Sequence, residues 1–258
     1  MEARYIVAQR IPVTAQTSKR GVILAGGKGT RLAPYTTVLP KPLMPIGDRA
    51  ILDVVVRQLA AYGFTDLVVA VGYLAHLIKA VFGDGSAHGV SIAYCEEGEP
   101  LGTAGPLSQI SDLDDTFLVM NGDVLTSLDY SRLYAAHREA GNVLTIATHE
   151  RVVRSEYGVL HVDGDGPADD TCRVTGYEEK PETPYTVSMG VYMLEPAALE
   201  HIPSGERFDI PDLVHALLAA GQPVGAYPFD GYWLDIGRHD DYEQALEDYE
   251  EILPRLLP

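Results

Sequence analysis

Val22-Ile23-Leu24-Ala25-Gly26-Gly27-Lys28-Gly29-Thr30-Arg31 is the stretch that decides the fold. An apolar run passes directly into three glycines with two cations among them. A buried strand ending in a glycine turn is how a βα unit opens. Glycines in that position let backbone N–H groups approach a phosphate closely, and Lys28 and Arg31 add positive charge. The same residues also suit a plain strand–helix turn, so the loop alone leaves both readings standing. Two better-known loops are excluded. No G-x-x-x-x-G-K-[ST] occurs, and Leu32 stands where G-x-G-x-x-G needs its last glycine.

Outward from this loop the text alternates between strand-like and helical segments. Ile51–Tyr62 places Ile51, Leu52, Val55, Leu59 and Tyr62 at helical spacing. Leu67–Val71 reads as a buried strand, Leu74–Phe82 as a helix and Val90–Cys95 as a strand. Phe117–Met120, the helix Leu128–Ala140 and the strand Val143–Thr148 follow. Strands and helices in this rhythm imply βαβ units: a Rossmann-like three-layer α/β/α sandwich with a mostly parallel central sheet. After residue 150 the strands Tyr157–Val162, Arg173–Tyr177 and Val187–Leu194 are separated by Gly, Pro and Asp turns, and helices return at Ile210–Ala220 and Asp240–Ile252. This half is expected to form a smaller β-rich lobe on the sheet. No linker divides the chain, so 21–253 reads as one domain, with halves at about 21–125 and 126–253. Ligands of such sheets bind beyond the carboxyl ends of the strands, which points to the residues after Ala25, Cys95 and Met120.

Composition bounds the function. The 258 residues are 46% hydrophobic and 22% charged, the balance of an ordinary soluble domain. No apolar run approaches the ~20 residues of a membrane span. Met1 to Arg20 contain no apolar core of a secretory signal. They read as a loose N-terminal extension (1–20), an amphipathic transit segment being the alternative. Two cysteines, Cys95 and Cys172, make neither a disulfide framework nor a zinc spacing, and a reducing cytoplasm is the expected home. Cys95 is expected as a small buried hydrophobe. A net charge of −18 argues against nucleic acid or anionic membrane as partner. A small phosphorylated ligand needs only a few cations in one place. The eight histidines show no metal-ligand spacing, and no G-x-S-x-G elbow is present.

Further motifs follow in order. Pro40-Lys41-Pro42 holds a lysine between two prolines, either as a rigid surface turn or as a fixed phosphate contact. Leu101-Gly102-Thr103-Ala104-Gly105, Asn121-Gly122-Asp123, Tyr157-Gly158-Val159, Glu178-Glu179-Lys180-Pro181 and Trp233-Leu234-Asp235-Ile236-Gly237 complete the set. By themselves Asp123 and Asp235 suit turn caps as well as a metal, and Glu178 with Lys180 reads as a surface ion pair on one strand face.

Taken together, and in this order, the motifs resemble the sugar-1-phosphate nucleotidyltransferases from about Gly21 to Leu253. In general look they are similar to the guanylyltransferases of the GDP-mannose pyrophosphorylase type. The resemblance implies transfer of a nucleoside monophosphate from an NTP to a sugar 1-phosphate, with pyrophosphate released. It places the nucleotide on Leu24, Ala25, Gly26, Gly27, Lys28, Gly29, Thr30 and Arg31, with Glu97, Gly102 and Thr103. It gives Mg²⁺ to Asp123 and Asp235, and the sugar to Tyr157, Gly158, Glu178 and Lys180. Arg31, Lys41, Asp123 and Lys180 become the catalytic set. The chemistry is an in-line displacement that needs positioning and charge stabilisation rather than a covalent enzyme intermediate. No further C-terminal β-helix or acyltransferase domain is expected, and self-association into a homo-oligomer stays open.

In relatives the residue five places before the glycine at 102 lies near the edge of the base. It is typically Gln in thymidylyl and uridylyl enzymes; here it is Glu97. An ionised carboxylate only accepts hydrogen bonds, which matches the N1–H and N2 amino donors of guanine. GTP is therefore the expected donor. The other reading turns Glu97 to solvent beside Glu96 and Glu99. A different functional class, a non-catalytic nucleotide-sugar sensor on the same fold, has no use for Arg31, Lys41, Asp123, Lys180 and Asp235 all together.

Overall fold

The computed structural model describes residues 18–163 and 172–257. Thirteen strands and five α-helices are found among them, with short 3-10 turns between. In chain order they begin with β1 (Lys19–Ala25), β2 (Pro45–Ile46), β3 (Arg49–Ala50), α1 (Ile51–Ala61) and β4 (Phe64–Val71). Next come α2 (Ala75–Phe82), β5 (Ser91–Glu96), β6 (Phe117–Asn121), β7 (Val124–Thr126) and α3 (Tyr130–Ala140). The remainder are β8 (Leu144–Arg154), β9 (Val159–Asp163), β10 (Arg173–Glu178), β11 (Glu182–Leu194), α4 (Ile210–Ala219), β12 (Val224–Pro228), β13 (Trp233–Asp235) and α5 (His239–Leu256).

Seven strands form the central sheet in the order β12-β8-β11-β6-β1-β4-β5. β1 pairs parallel with β4 and β6, β4 with β5, and β12 with β8; only β11 runs against its neighbours. The inner strands are continuously apolar because both of their faces are covered. Ile23, Leu67, Val69, Leu118 and Met120 point into one core with α1 (Leu52, Val55, Leu59), Ile78 and Leu133. Their alternates Val22, Val68, Phe117 and Val119 point into the other, with Leu213 and Leu217 of α4. The three layers therefore follow from the period-2 alternation of strands lined by apolar residues on both sides. A third core lies under α5, whose Tyr242, Ala245, Tyr249, Ile252 and Leu256 form a helical stripe against Leu32, Met44, Ile51 and Ile236.

Three expectations need correction. The first strand begins at Lys19, inside the supposed extension, because Arg20 is tied to Asp66 (2.7 and 2.9 Å) and to the carbonyls of Ser111 and Asp112. The rest of that extension, residues 1–17, lies outside the described residues. Val187–Leu194 does not belong to the lobe. Its strand starts at Glu182, and the inner end is inserted, buried, between β6 and β8. The lobe consists of the antiparallel hairpin β9–β10 and the exposed outer ends of β8 and β11. Third, Cys95 is half-buried rather than buried, with its thiol toward Gln109.

At the amino end of β6, His137 is fully buried and joins Thr145 (2.8 Å) and Glu195 (3.2 Å), which also takes Thr116 and Arg138. Burial holds its imidazole below the usual range, with Glu195 pulling the other way and Arg138 adding to the lowering. A base depressed by folding keeps its stabilising contribution above its unfolded value and loses it as pH falls from there toward the folded value. The melting temperature is therefore expected to decline as pH drops below about 6.5. His137→Phe should flatten that slope and cost roughly 1–3 kcal/mol through the two lost hydrogen bonds, Thr145 keeping Asn142 and Glu195 keeping Thr116 and Arg138. Melts at stepped pH check this; a parental slope in the Phe variant would assign the acid sensitivity elsewhere.

Candidate active site

The carboxyl ends of β1, β4, β5 and β6 open onto two adjoining cavities, of about 680 and 240 Å³. Leu24, Gly27 and Asp123 line both. The larger is bounded by the glycine loop, Gly72 and Tyr73 after β4, the loop Glu97–Thr103 after β5, and Asn121. It is of the size that holds a small organic ligand. The smaller is bounded by Gly29, Thr30, Arg31, Lys41, Pro42 and Gly122. Each nucleotide-site residue expected from the sequence lines one or the other.

The loop after β1 is shaped for an anion. Among the described residues, the N–H groups of Gly27, Lys28 and Gly29 donate to no other group of the chain. Gly29 takes a left-handed φ of 62°, which starts the short 3-10 turn Thr30–Leu32, and its carbonyl accepts from the Thr36 hydroxyl (2.8 Å). Lys28 and Arg31 are both exposed and form no ion pair among the described residues, so their charges stay free for a ligand.

Lys41 is buried and paired with Asp123. The turn Gly122 that delivers Asp123 is fastened to the carbonyl of Leu24 (2.9 Å). β13 pairs with β7 so that Asp235 lies opposite Val124, and Ile236 N–H donates to the Asp123 carbonyl (3.1 Å). The two aspartates expected at a metal are thus brought together from positions 112 apart in the chain. The partial burial of Asp235, then the Asp123 charge, raises its carboxyl above the ordinary range, while Lys41 and Arg31 pull it down; solvent still reaches the side chain. Asp123 Oδ1 is buried, and no hydrogen-bond donor reaches it among the described residues. Two neighbouring carboxylates, one with an orphaned buried oxygen, fit a divalent cation that completes its shell with water and phosphate oxygens. No cluster of three or more metal-ligating side chains exists among the described residues.

Glu97 does not turn to solvent with its neighbours. Glu96 pairs with Lys79, whereas Glu97 folds under its own loop, one oxygen accepting from Leu101 N–H (2.8 Å) and the other against Gly26. Burial raises its carboxyl, opposed by that backbone bond.

The expected sugar residues stand apart. Tyr157, Gly158, Glu178 and Lys180 lie on or beside the hairpin β9–β10, and none of them lines either cavity. The Glu178–Lys180 ion pair is absent. β10 ends at Glu178, which pairs with His161 (3.0 Å), and Lys180 sits beyond the strand at a positive φ of 45°, so the two do not share a face. Sequence reading missed Gly72 and Tyr73, whereas Asn121 follows Met120, to which the carboxyl-end rule points. The same rule would have found the other two, had it been applied to Val71 as well.

A mostly parallel sheet carrying a glycine loop with free cations and neighbouring carboxylates at its carboxyl edge defines an α/β protein with a candidate anion site. The chain belongs to the nucleotidyl transferase family, whose model matches residues 20–252. It is 36% identical over 247 residues to a UTP–glucose-1-phosphate uridylyltransferase of Synechocystis sp., covering 88% of this chain and 62% of that protein. It is 34% identical over 233 residues to a mannose-1-phosphate guanylyltransferase of Mycobacterium tuberculosis, covering 88% and 63%. The chain therefore spans under two thirds of the length of these relatives. Among solved structures, HddC from Yersinia pseudotuberculosis superposes with a TM-score of 0.68 at 26% identity, covering 90% of this chain and 99% of that one. HddC has also been solved with GMP-PN.

Proposed function

We propose that this chain transfers a nucleoside monophosphate from an NTP to a sugar 1-phosphate, releasing pyrophosphate, and that GTP is its preferred donor. The observation that carries this is the meeting of the two cavities at Asp123. There a loop of free N–H groups, two unpaired cations and the Lys41–Asp123 pair converge, with Asp235, which lines neither cavity, close enough to feel the Asp123 charge. In this reading the larger cavity takes the nucleoside and the smaller the phosphates. Lys28 and Arg31 hold the departing pyrophosphate, Arg31 through its two-pronged guanidinium. Lys41 lies at the α-phosphate, where charge concentrates as the bond breaks. Asp123 and Asp235 would hold Mg²⁺, which when bound offsets the repulsion between the two phosphate groups. Assignment of the sugar to Tyr157, Gly158 and Glu178, and of its phosphate to Lys180, rests on the family resemblance alone.

GTP is favoured by Glu97, an acceptor-only group at the wall of the larger cavity. Each carboxylate oxygen has two lone pairs, so the bond from Leu101 leaves room for the paired donors of guanine. A uridylyl or thymidylyl reaction is the second reading, supported by the name of the Synechocystis relative. The test is pyrophosphate release across a panel of NTPs and sugar 1-phosphates. GTP is expected to be used best, and Glu97→Gln to narrow its lead over UTP by roughly tenfold, as a mispaired buried polar group costs ~1–3 kcal/mol. A parent that prefers UTP or dTTP removes the carboxylate argument. Release with no pair in the panel would favour a binding protein over an enzyme.

A further inference from the structure

The loop that lines the larger cavity is anchored by the opposite half of the chain. Ala104 and Gly105 N–H groups donate to the Phe208 carbonyl (2.9 and 2.8 Å), and Phe208 N–H donates back to the Leu101 carbonyl (2.8 Å). Beside this exchange, Asp209 Oδ1 accepts from both the N–H (2.9 Å) and the hydroxyl (3.2 Å) of Thr103. The same hydroxyl oxygen accepts from the N–H of Ile210, the first residue of α4 (2.8 Å). An aspartate at the start of a helix ordinarily turns its carboxylate onto its own helix. Here it takes part in a capping box with Asp212 and in addition reaches across 106 positions to the loop, where Thr103 supplies an acceptor for the helix in return. Gly102 makes the approach possible. Its φ is 82°, and a Cβ there would stand 2.6 Å from Asp209 Oδ1 and 2.7 Å from the Phe208 carbonyl oxygen.

The anchoring continues to the cavity wall. Leu101, whose carbonyl is held by Phe208, uses its own N–H to hold Glu97. We infer that Asp209, which lines neither cavity, is a positioning residue for nucleotide selection: through Thr103 and Leu101 it sets where the Glu97 carboxylate stands, and so which base the cavity accepts. The proposal rests on the nucleotidyl-transfer reading and adds to it a coupling between the nucleotide loop and α4. An ångström of displacement in such a loop is enough to weaken a binding geometry severely.

Three variants separate this from ordinary helix capping. Asp209→Ala removes the acceptor for Thr103 together with the Asp209 half of the α4 capping box. Asp209→Asn keeps an oxygen in its place. Asp212→Ala removes only the bond from Asp209 N–H to Asp212 (3.0 Å) and leaves the loop contacts intact. Amide exchange at residues 97–105 and calorimetric affinities for GTP and UTP, with Mg²⁺ present, are the readouts. Asp209→Ala is expected to speed exchange at Leu101 and Thr103 and to weaken GTP roughly tenfold while changing UTP little. Asp209→Asn should behave as the parent, and Asp212→Ala should lower the melting temperature without moving the GTP to UTP ratio. Unchanged exchange in Asp209→Ala, or an equal shift of the ratio in Asp212→Ala, overturns the proposal. Faster exchange in Asp209→Ala with no triphosphate bound by the parent overturns instead the reading on which it rests.

Discussion

Asp123→Asn is expected to lower kcat by about 10²–10³-fold, the scale of removing one group aimed at developing charge. Asp123 occupies two positions at once. One oxygen is the partner of buried Lys41, and the other is buried with no donor among the described residues, while the Asp123 charge is felt by Asp235. The amide keeps the shape but removes the charge that would draw a divalent cation. It also leaves Lys41 to its remaining neighbours, so a stability loss of roughly 1–3 kcal/mol should accompany the loss of turnover. The two effects separate by experiment. Activity is measured well below the variant's melting temperature, and the parent is assayed in parallel with EDTA. Chelation should abolish parental turnover without costing the stability that the substitution costs. Full activity in EDTA would remove the metal from the reaction, and a variant with parental kcat would remove Asp123.

Arg31→Ala should reduce kcat/KM for the triphosphate by about 10²-fold, and Arg31→Lys by about tenfold, because lysine keeps the charge but lacks the fork. Unlike Asp123, Arg31 is exposed and forms no ion pair among the described residues. Exposed positions without such partners change stability by only about ±0.5 kcal/mol. Both variants are therefore expected to melt with the parent, so any loss of activity reports on ligand alone. Equal kcat/KM in all three proteins would return the loop Gly26–Arg31 to a simple strand–helix turn.

The two variants differ because the two residues stand at different distances from what sequence can express. Lys28, Arg31 and the glycines are contiguous, follow a strand immediately and are visible as one motif. Asp123 could be placed at the carboxyl edge of the sheet by the strand before it, whereas its meeting with Asp235 was implied by the family resemblance and by no local pattern. β13 was not legible, since three residues in a turn-rich stretch carry no period. Nor was β12, where Gly225 and Pro228 weaken the strand pattern. Glu97 was open to two readings because three acids in four residues look alike on paper. The Leu101 N–H selects one of them.

Local patterning by itself determined the alternating α/β order, the glycine loop and its position at a strand's end, because apolar periodicity and glycine turns act over a few residues. The tertiary structure alone decided four things. It inserted β11 between β6 and β8, brought Asp235 to Asp123, turned Glu97 inward, and hung the nucleotide loop on Asp209. Three of these depend on pairing between segments far apart in the chain, and the fourth, the short Glu97–Leu101 bond, stands on a Leu101 that Phe208 holds, so register, burial and the direction of a single hydrogen bond are set by the packed whole.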